Sequence, residues 1–188
     1  GTLLIEAAQQ ALCIAPGAQR DFGFFRLADF DQSLWRSLRD AAREGVREDA
    51  ELMIFGADQN NTALRGAKRN LEAAGLAHKV RLQCADALTL AAPAPAGVML
   101  INPPYGVRQS DQAAMRQFYP RLGDWLKRNF AGWRVHIFSA DLELAKLIGL
   151  RASRRVPLFN GPLECRLFAY EIVAGSNRGE TKQATGAD

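Results

Sequence analysis

The stretch with the plainest chemical content is Asn102-Pro103-Pro104-Tyr105, set at the end of an apolar run from Val98 to Ile101. Proline carries no N–H, fixes φ and pushes the residue before it out of the helical region. The peptide after Ile101 is therefore expected to be stiff and extended, with carbonyls that no helix or ladder uses. The Asn102 side-chain oxygen and the Pro103 carbonyl then make a rigid pair of acceptors, and Tyr105 offers a flat ring. Two acceptors and one stacking face suit an exocyclic amine on a planar base. The same letters also spell a tight turn leaving a buried strand.

Two other strand-like segments end on a polar residue: the apolar run Leu52 to Ala57 on Asp58, and Val80 to Ala85 on Asp86. Either aspartate could simply cap a helix. As a series with Asn102 they suggest more. In nucleotide-binding α/β folds a carboxylate at the end of the second strand holds a ribose diol. A carboxylate at the next strand end can accept from an adenine amino group. Gly1-Thr2 opens a helix, and a glycine there lets backbone approach a ligand closely. His78 and His136 are isolated and read as structural or solvated. Cys13, Cys84 and Cys165 are odd in number and widely spaced in apolar segments. They are expected to be reduced core thiols, with no metal site among them.

The elements that must position these residues follow from periodicity. Leu3 to Leu12 reads as a helix, which Pro16-Gly17 ends. Residues 15–50 read as an inserted segment with a Phe22-Gly23-Phe24-Phe25 cluster. It also holds a helix capped by Asp31, expected to turn Leu34, Trp35, Leu38, Ala42 and Val46 to one face. Asn60 or Asn61 can cap the helix after Asp58, and Gly75 closes it. A helix with Met115, Phe118, Leu122, Trp125 and Leu126 inward is expected to be kinked or split at Pro120. Trp133 to Phe138 is a strand and Leu142 to Ile148 a short helix. Arg154 to Phe159 and Cys165 to Ile172 flank Asn160-Gly161 as a hairpin, with a loop looser than two residues. Alternating helices and short apolar runs predict an α/β, mostly parallel sheet closed by an antiparallel C-terminal hairpin. Residues 1–173 read as one domain and 174–188 as a linker or disordered tail.

Composition sets outer bounds. Apolar residues make up 48% and charged residues 23% of 188, which is ordinary for a globular chain. No apolar run approaches a membrane span, and the expected location is cytoplasmic. A net charge of +4 permits a nucleic-acid partner without requiring one. Arginine supplies 19 of the 24 positive residues, and its planar fork suits both phosphates and stacked bases. Arg108, Arg151, Arg154 and Arg155 are candidate phosphate contacts, or solvated surface charge.

Gly1-Thr2 before Leu-Leu-Ile-Glu-Ala-Ala, then Asp58, Asp86 and Asn102-Pro103-Pro104-Tyr105, resembles class I S-adenosylmethionine-dependent methyltransferases that act on exocyclic amino nitrogens. Ile14-Ala15-Pro16-Gly17, Phe22-Gly23-Phe24, the Trp35 helix and Leu122-Gly123-Asp124-Trp125-Leu126-Lys127 narrow the likeness. They are similar to the large-subunit (23S) ribosomal RNA guanine-N2 methyltransferases of the RlmL type, including bifunctional RlmKL chains. The similarity runs from residue 1 to about 173.

The resemblance implies a Rossmann-like class I methyltransferase sheet that here lacks its first strand and most of the glycine loop. It implies that Gly1 and Thr2 end the cofactor loop. Asp58 would hold the cofactor ribose, and Asp86 with Ala87 its adenine. Asn102, Pro103 and Pro104 would orient the guanine amine, with Asn102 also bordering the cofactor, and Tyr105 would stack on the base. An upstream RNA-binding THUMP region and a downstream second methyltransferase would be the missing partners in the chain. Residues 1–188 alone are expected to be inactive. Adenine-N6 methylation of DNA, or a non-catalytic nucleotide-fold binding module, are the alternative readings.

Overall fold

Alanine and leucine, the strongest helix formers, dominate Thr2–Ala11 (α1) and give it one apolar stripe. Ala8 and the following Leu12 are buried with Leu71, Leu76 and Val80, and Leu4 and Ile5 pack against that cluster. The computed structural model that shows this describes residues 1–103, 109–140 and 144–174. It divides into two units, Gly1–Thr89 and Leu90–Asp188.

In the first unit Ile54–Asp58 (β1) and Val80–Cys84 (β2) pair in parallel, with Ile54 opposite Val80 and Asp58 opposite Cys84. A parallel pair needs a crossover, here Asn61–Ala73 (α3), which buries Ala67 and Leu71. Of the two asparagines that could cap α3, Asn60 does so, accepting from the Thr62 and Ala63 amides at 2.9 and 3.3 Å. Gly75 closes it at φ 72°, the left-handed conformation that follows many helices. The Arg47 amide donates to the Leu12 carbonyl at 2.9 Å. The tail of α1 thus lies by the segment that leads into β1.

Gln32–Glu44 (α2) starts at Asp31, whose carboxylate accepts from the Ser33 and Leu34 amides at 2.8 and 2.9 Å. The Ser33 hydroxyl bond, then the Leu34 amide, hold that carboxyl below its ordinary value. Trp35 sits with Phe22, Phe24 and Phe25 at ring-centroid distances of 5.4–5.5 Å. The expected five-residue inward face is narrower than the sequence suggests. Trp35, Ala42 and Val46 are half-buried, while Leu34 and Leu38 are 56% and 57% exposed. Trp35 fixes the rotation of the helix, and a residue one step away is turned by about 100°.

In the second unit the sheet order is β3-β4-β6-β5: Gly97–Ile101 (β3), Trp133–Ser139 (β4), Arg154–Asn160 (β5) and Leu163–Glu171 (β6). β3 and β4 are parallel, and β6 is antiparallel to both β4 and β5. Gln109–Asn129 (α4) connects β3 to β4 and buries Tyr119, Leu122, Trp125 and Leu126. Pro120 lies inside it without dividing it, since the ring removes one N–H, the one that would reach the Arg116 carbonyl. Trp125 and Trp133 donate through their indole N–H groups to the Leu90 and Ala94 carbonyls at 2.9 and 3.0 Å. Leu144–Leu147 (α5) follows β4.

The α/β class holds, with parallel pairs first and an antiparallel C-terminal hairpin last. The hairpin is tighter than expected. Asn160 pairs directly with Leu163, leaving Gly161-Pro162 as a two-residue turn with Gly161 at φ 59°. The cysteines also differ from expectation: Cys165 is buried, but Cys13 and Cys84 are exposed. Cys13 falls on the turn after α1, and Cys84 on the last residue of a strand in a two-stranded sheet. No described helix is long and apolar enough to cross a membrane.

Gly123 marks the tightest packing. A Cβ there would stand 1.8 Å from the Ile148 carbonyl oxygen, a backbone atom that a rotamer change cannot move. Gly66, inside α3, has open space around that position. Gly123→Ala should lower stability by about 3 kcal/mol or more through overpacking. Gly66→Ala should raise it by up to about 1 kcal/mol through helix propensity. Denaturant midpoints of the two variants check both signs.

Burial pushes the Tyr170 phenol from its ordinary 10.0 up to about 12, with Arg155 opposing and Tyr119 adding to the rise. The folded chain therefore keeps this proton where the unfolded chain loses it. Its contribution is complete below pH 10 and disappears between pH 10 and 12, by roughly 1.4 kcal/mol per pH unit. Unfolding free energies of wild type and Tyr170→Phe should diverge in slope across that window, with the wild type falling faster.

Candidate functional site

Asp58, Asp86 and Asn102 are strand-end residues, and the strand that carries each explains its position. β1 and β2 run the same way, so their carboxyl ends open on one rim of the first unit. The Ala85 amide donates to the Asp58 carbonyl at 3.2 Å, which carries the pairing one step past the strands. Asp58 and Asp86 thus leave adjacent strands at the same end, offset by two residues. Both are exposed.

Each aspartate is partly occupied by its own backbone. Asp58 Oδ1 accepts from the Asn60 amide at 2.8 Å, and Asp86 Oδ1 accepts from the Leu88 amide at 2.9 Å. These are i to i+2 bonds, which fix a carboxylate against the turn that follows it. Asp58 does not cap α3, because Asn60 does. Asp86 sits at the head of the short 3₁₀ turn Ala87–Thr89, and its carbonyl accepts from the Thr89 amide and hydroxyl. The second oxygen of each carboxylate accepts no hydrogen bond among the described residues. The Cys84 thiol lies 3.8 Å from the Gln59 carbonyl. Cys84, expected in the core, and Gln59 stand instead beside the two aspartates at this strand end.

Gly1 caps α1 without a side-chain bond. Its carbonyl takes the Leu4 and Ile5 amides at 3.0 and 3.1 Å. A Cβ at Gly1 would lie 3.0 Å from Ala67 Cα and Cβ, so glycine lets α1 start close against α3. Thr2 is the first residue of the helix. Of the first unit's candidates, Asp58, Asp86 and Ala87 lie at the carboxyl ends of its strands, and Gly1 and Thr2 at the start of α1.

In the second unit β3 ends at Ile101 and Asn102 follows, exposed, with Pro103 buried behind it. Asn102 and Pro103 stand at the carboxyl end of a parallel strand, as the proline pair implied. Pro104, Tyr105 and Arg108 lie outside the described residues. His136 is half-buried in mid-strand, opposite Leu100 and Ala169 and away from the strand ends. Among the described residues no three or more His, Cys, Asp and Glu side chains gather as a metal site would.

The chain is similar to known methyltransferases along nearly all of its length. It is 41% identical over 173 residues to a Synechocystis sp. protein assigned as an RNA methyltransferase, covering 92% of this chain and 45% of that one. It is 39% identical over 186 residues to the ribosomal RNA large subunit methyltransferase K/L of Shewanella baltica, covering 96% of this chain and 26% of the relative. The chain thus spans less than half the length of either. A crystal structure of a protein assigned as a methyltransferase and complexed with SAH superposes with a TM-score of 0.86 at 30% identity. That match covers 92% of this chain and 45% of the other. The model of the RMKL-like methyltransferase domain matches residues 1–169, and the chain belongs to that family.

Proposed function

We propose that this chain is the S-adenosylmethionine-dependent methyltransferase domain of a large-subunit ribosomal RNA methyltransferase. Its product would be guanine methylated at the exocyclic N2. One observation carries the cofactor part of this reading. Two exposed carboxylates leave adjacent parallel strands at one rim, each with one oxygen tied to a local amide. That donor set fits a nucleoside: Asp58 would accept from the ribose hydroxyls and Asp86, with Ala87 beside it, from the adenine amine. Gly1 and Thr2, at an α1 start without a side-chain cap, would complete the cradle. The large-subunit RNA substrate is supported by the name of the Shewanella baltica relative. The guanine amine is supported by the resemblance of Asn102-Pro103-Pro104-Tyr105 to the amine-directed enzymes.

S-adenosylmethionine, when bound, supplies an electrophilic methyl on a sulfonium. The residues of the chain bind and orient. A guanine amine is a poor nucleophile because its lone pair is delocalised into the ring. The Asn102 side-chain oxygen and the Pro103 carbonyl, both accepting from its N–H bonds, would favour a pyramidal nitrogen with the lone pair free. Tyr105 stacking on the base belongs to the same proposal. Positioning of this kind supplies much of the acceleration, and the nitrogen, acidified as its new bond forms, can release a proton to water. A histidine base is not required.

The test uses the full-length protein. Asp58→Ala should weaken S-adenosylmethionine binding by at least about tenfold, the loss of one charge-assisted contact to a hydroxyl pair. Asn102→Ala should keep that binding and lose methyl transfer to large-subunit ribosomal RNA. Calorimetry reads the first, and tritiated methyl incorporation into RNA and into duplex DNA reads the second. Full transfer by Asn102→Ala would overturn the assignment of the amine-orienting pair.

A further inference from the structure

The β5–β6 hairpin of the second unit carries its most exposed large apolar side chain at the tip. Phe159 is 71% exposed, with Leu158 and Leu163 at 40% and 43% beside it. The register fixes where this tip stands. Ile101 pairs with Ile137 on β4, so by count Pro103 falls level with Ser139. Ser139 pairs with Arg166 on β6, and Arg166 pairs with Pro157 on β5. β5 runs parallel to β3, since both pairings through β6 are antiparallel. Leu158, Phe159 and Asn160 therefore continue three residues past the level of Pro103. At about 3.3 Å per residue the tip projects roughly 10 Å beyond the end of the sheet that carries Asn102 and Pro103.

The tip is also held rigidly. Asn160 pairs with Leu163 across a two-residue turn, and Pro157 and Pro162 fix φ on either side. The charge around it has one sign. Residues 151–166 contain Arg151, Arg154, Arg155 and Arg166 against the single carboxylate of Glu164. Glu164 is already paired with Arg166 at 2.6 Å, whereas Arg151, Arg154 and Arg155 have no ion pair among the described residues. The Arg155 guanidinium lies over the Phe168 ring at 5.9 Å, along the same hairpin.

An open aromatic face on a stiff projection, with unneutralised arginines along its base, is the pattern of a single-stranded nucleic-acid contact. Aromatic rings take a base, and arginines take the backbone. We infer that Phe159 stacks on an unpaired RNA base near the target nucleotide, with Arg155, four residues back on the same face of β5, meeting the backbone farther along the strand. This rests on the RNA methylation reading above and adds a substrate contact to it. Both Phe159 and the arginines lie outside the Asn-Pro-Pro-Tyr motif and outside the cofactor residues.

The experiment is steady-state methyl transfer by the full-length protein on a large-subunit ribosomal RNA transcript, comparing wild type, Phe159→Ala and Phe159→Trp. Loss of one stacked base should raise KM for RNA about tenfold in Phe159→Ala. The value of kcat, the affinity for S-adenosylmethionine and the melting temperature should not change, and Phe159→Trp should restore KM. An unchanged KM in an active Phe159→Ala enzyme would overturn the inference and leave RNA methylation standing. So would a loss that follows a lowered melting temperature, or cross-linking from position 159 to protein with KM unchanged. A wild-type enzyme that binds S-adenosylmethionine but transfers no methyl to RNA would instead overturn the reading on which the inference rests.

Discussion

The parallel pairing of β1 with β2 is the constraint from which the first unit follows. Antiparallel neighbours can be joined by a tight turn, but parallel ones leave the sheet at the same end and must return by a crossover. Asp58 and Asp86 share a rim because Asp58 is opposite Cys84 and the Ala85 amide extends that register to the Asp58 carbonyl. α3 is the required crossover, and the cap by Asn60 leaves the Asp58 carboxylate to the Asn60 amide. The polar termini are therefore a consequence of strand direction. Asp58 closes β1 and Asp86 follows β2 by two residues, so both side chains stand at the end where the parallel strands leave the sheet.

The second unit applies the same constraint with a different closure. β3 and β4 are parallel and need α4 between them, which places Asn102 and Pro103 at the exit of β3. Packing then depends on a close approach: Gly123 lets the backbone of α4 come against the Ile148 carbonyl. Trp125, Phe130 and Trp133 form an aromatic row from the end of α4 into β4, with ring centroids 4.6 and 5.3 Å apart. The two indole N–H groups are satisfied by loop carbonyls of Leu90 and Ala94, so bulk enters the core without a stranded donor.

Strand ends were legible because an apolar run that stops on Asp or Asn is a local signal, and so were the caps at Asp31 and Asn60. What was not legible depends on distant partners or on rotation. Leu34 and Trp35 are adjacent letters of equal apolarity, yet Trp35 turns into an aromatic cluster and Leu34 into water. Cys84 has apolar neighbours in sequence but stands at the end of a two-stranded pair. The prolines near Asn160 suggested a loose loop. Pro157 and Pro162 are instead accommodated by an edge strand and by the turn itself. Which amide each aspartate would hold depends on the conformation of the following two residues, and periodicity is blind to that.

The edge strand β5 gives this last point its functional weight. An exposed edge invites pairing with other chains, and proteins commonly block it with proline and charge. The lower part of β5 is built that way, with Arg154, Arg155 and Pro157 along it. Its last residues are not: Leu158 and Phe159 are apolar and open, and the partner strand begins with exposed Leu163. Among the described residues nothing buries this aromatic tip, since Phe159 stays 71% exposed. The projection of that tip past the level of Asn102 and Pro103 supplies a reason in substrate contact. On the proposed reading, an amine held by two acceptors must be presented in one orientation, and a second fixed stacking point on the same strand of RNA would reduce the freedom with which the target base arrives.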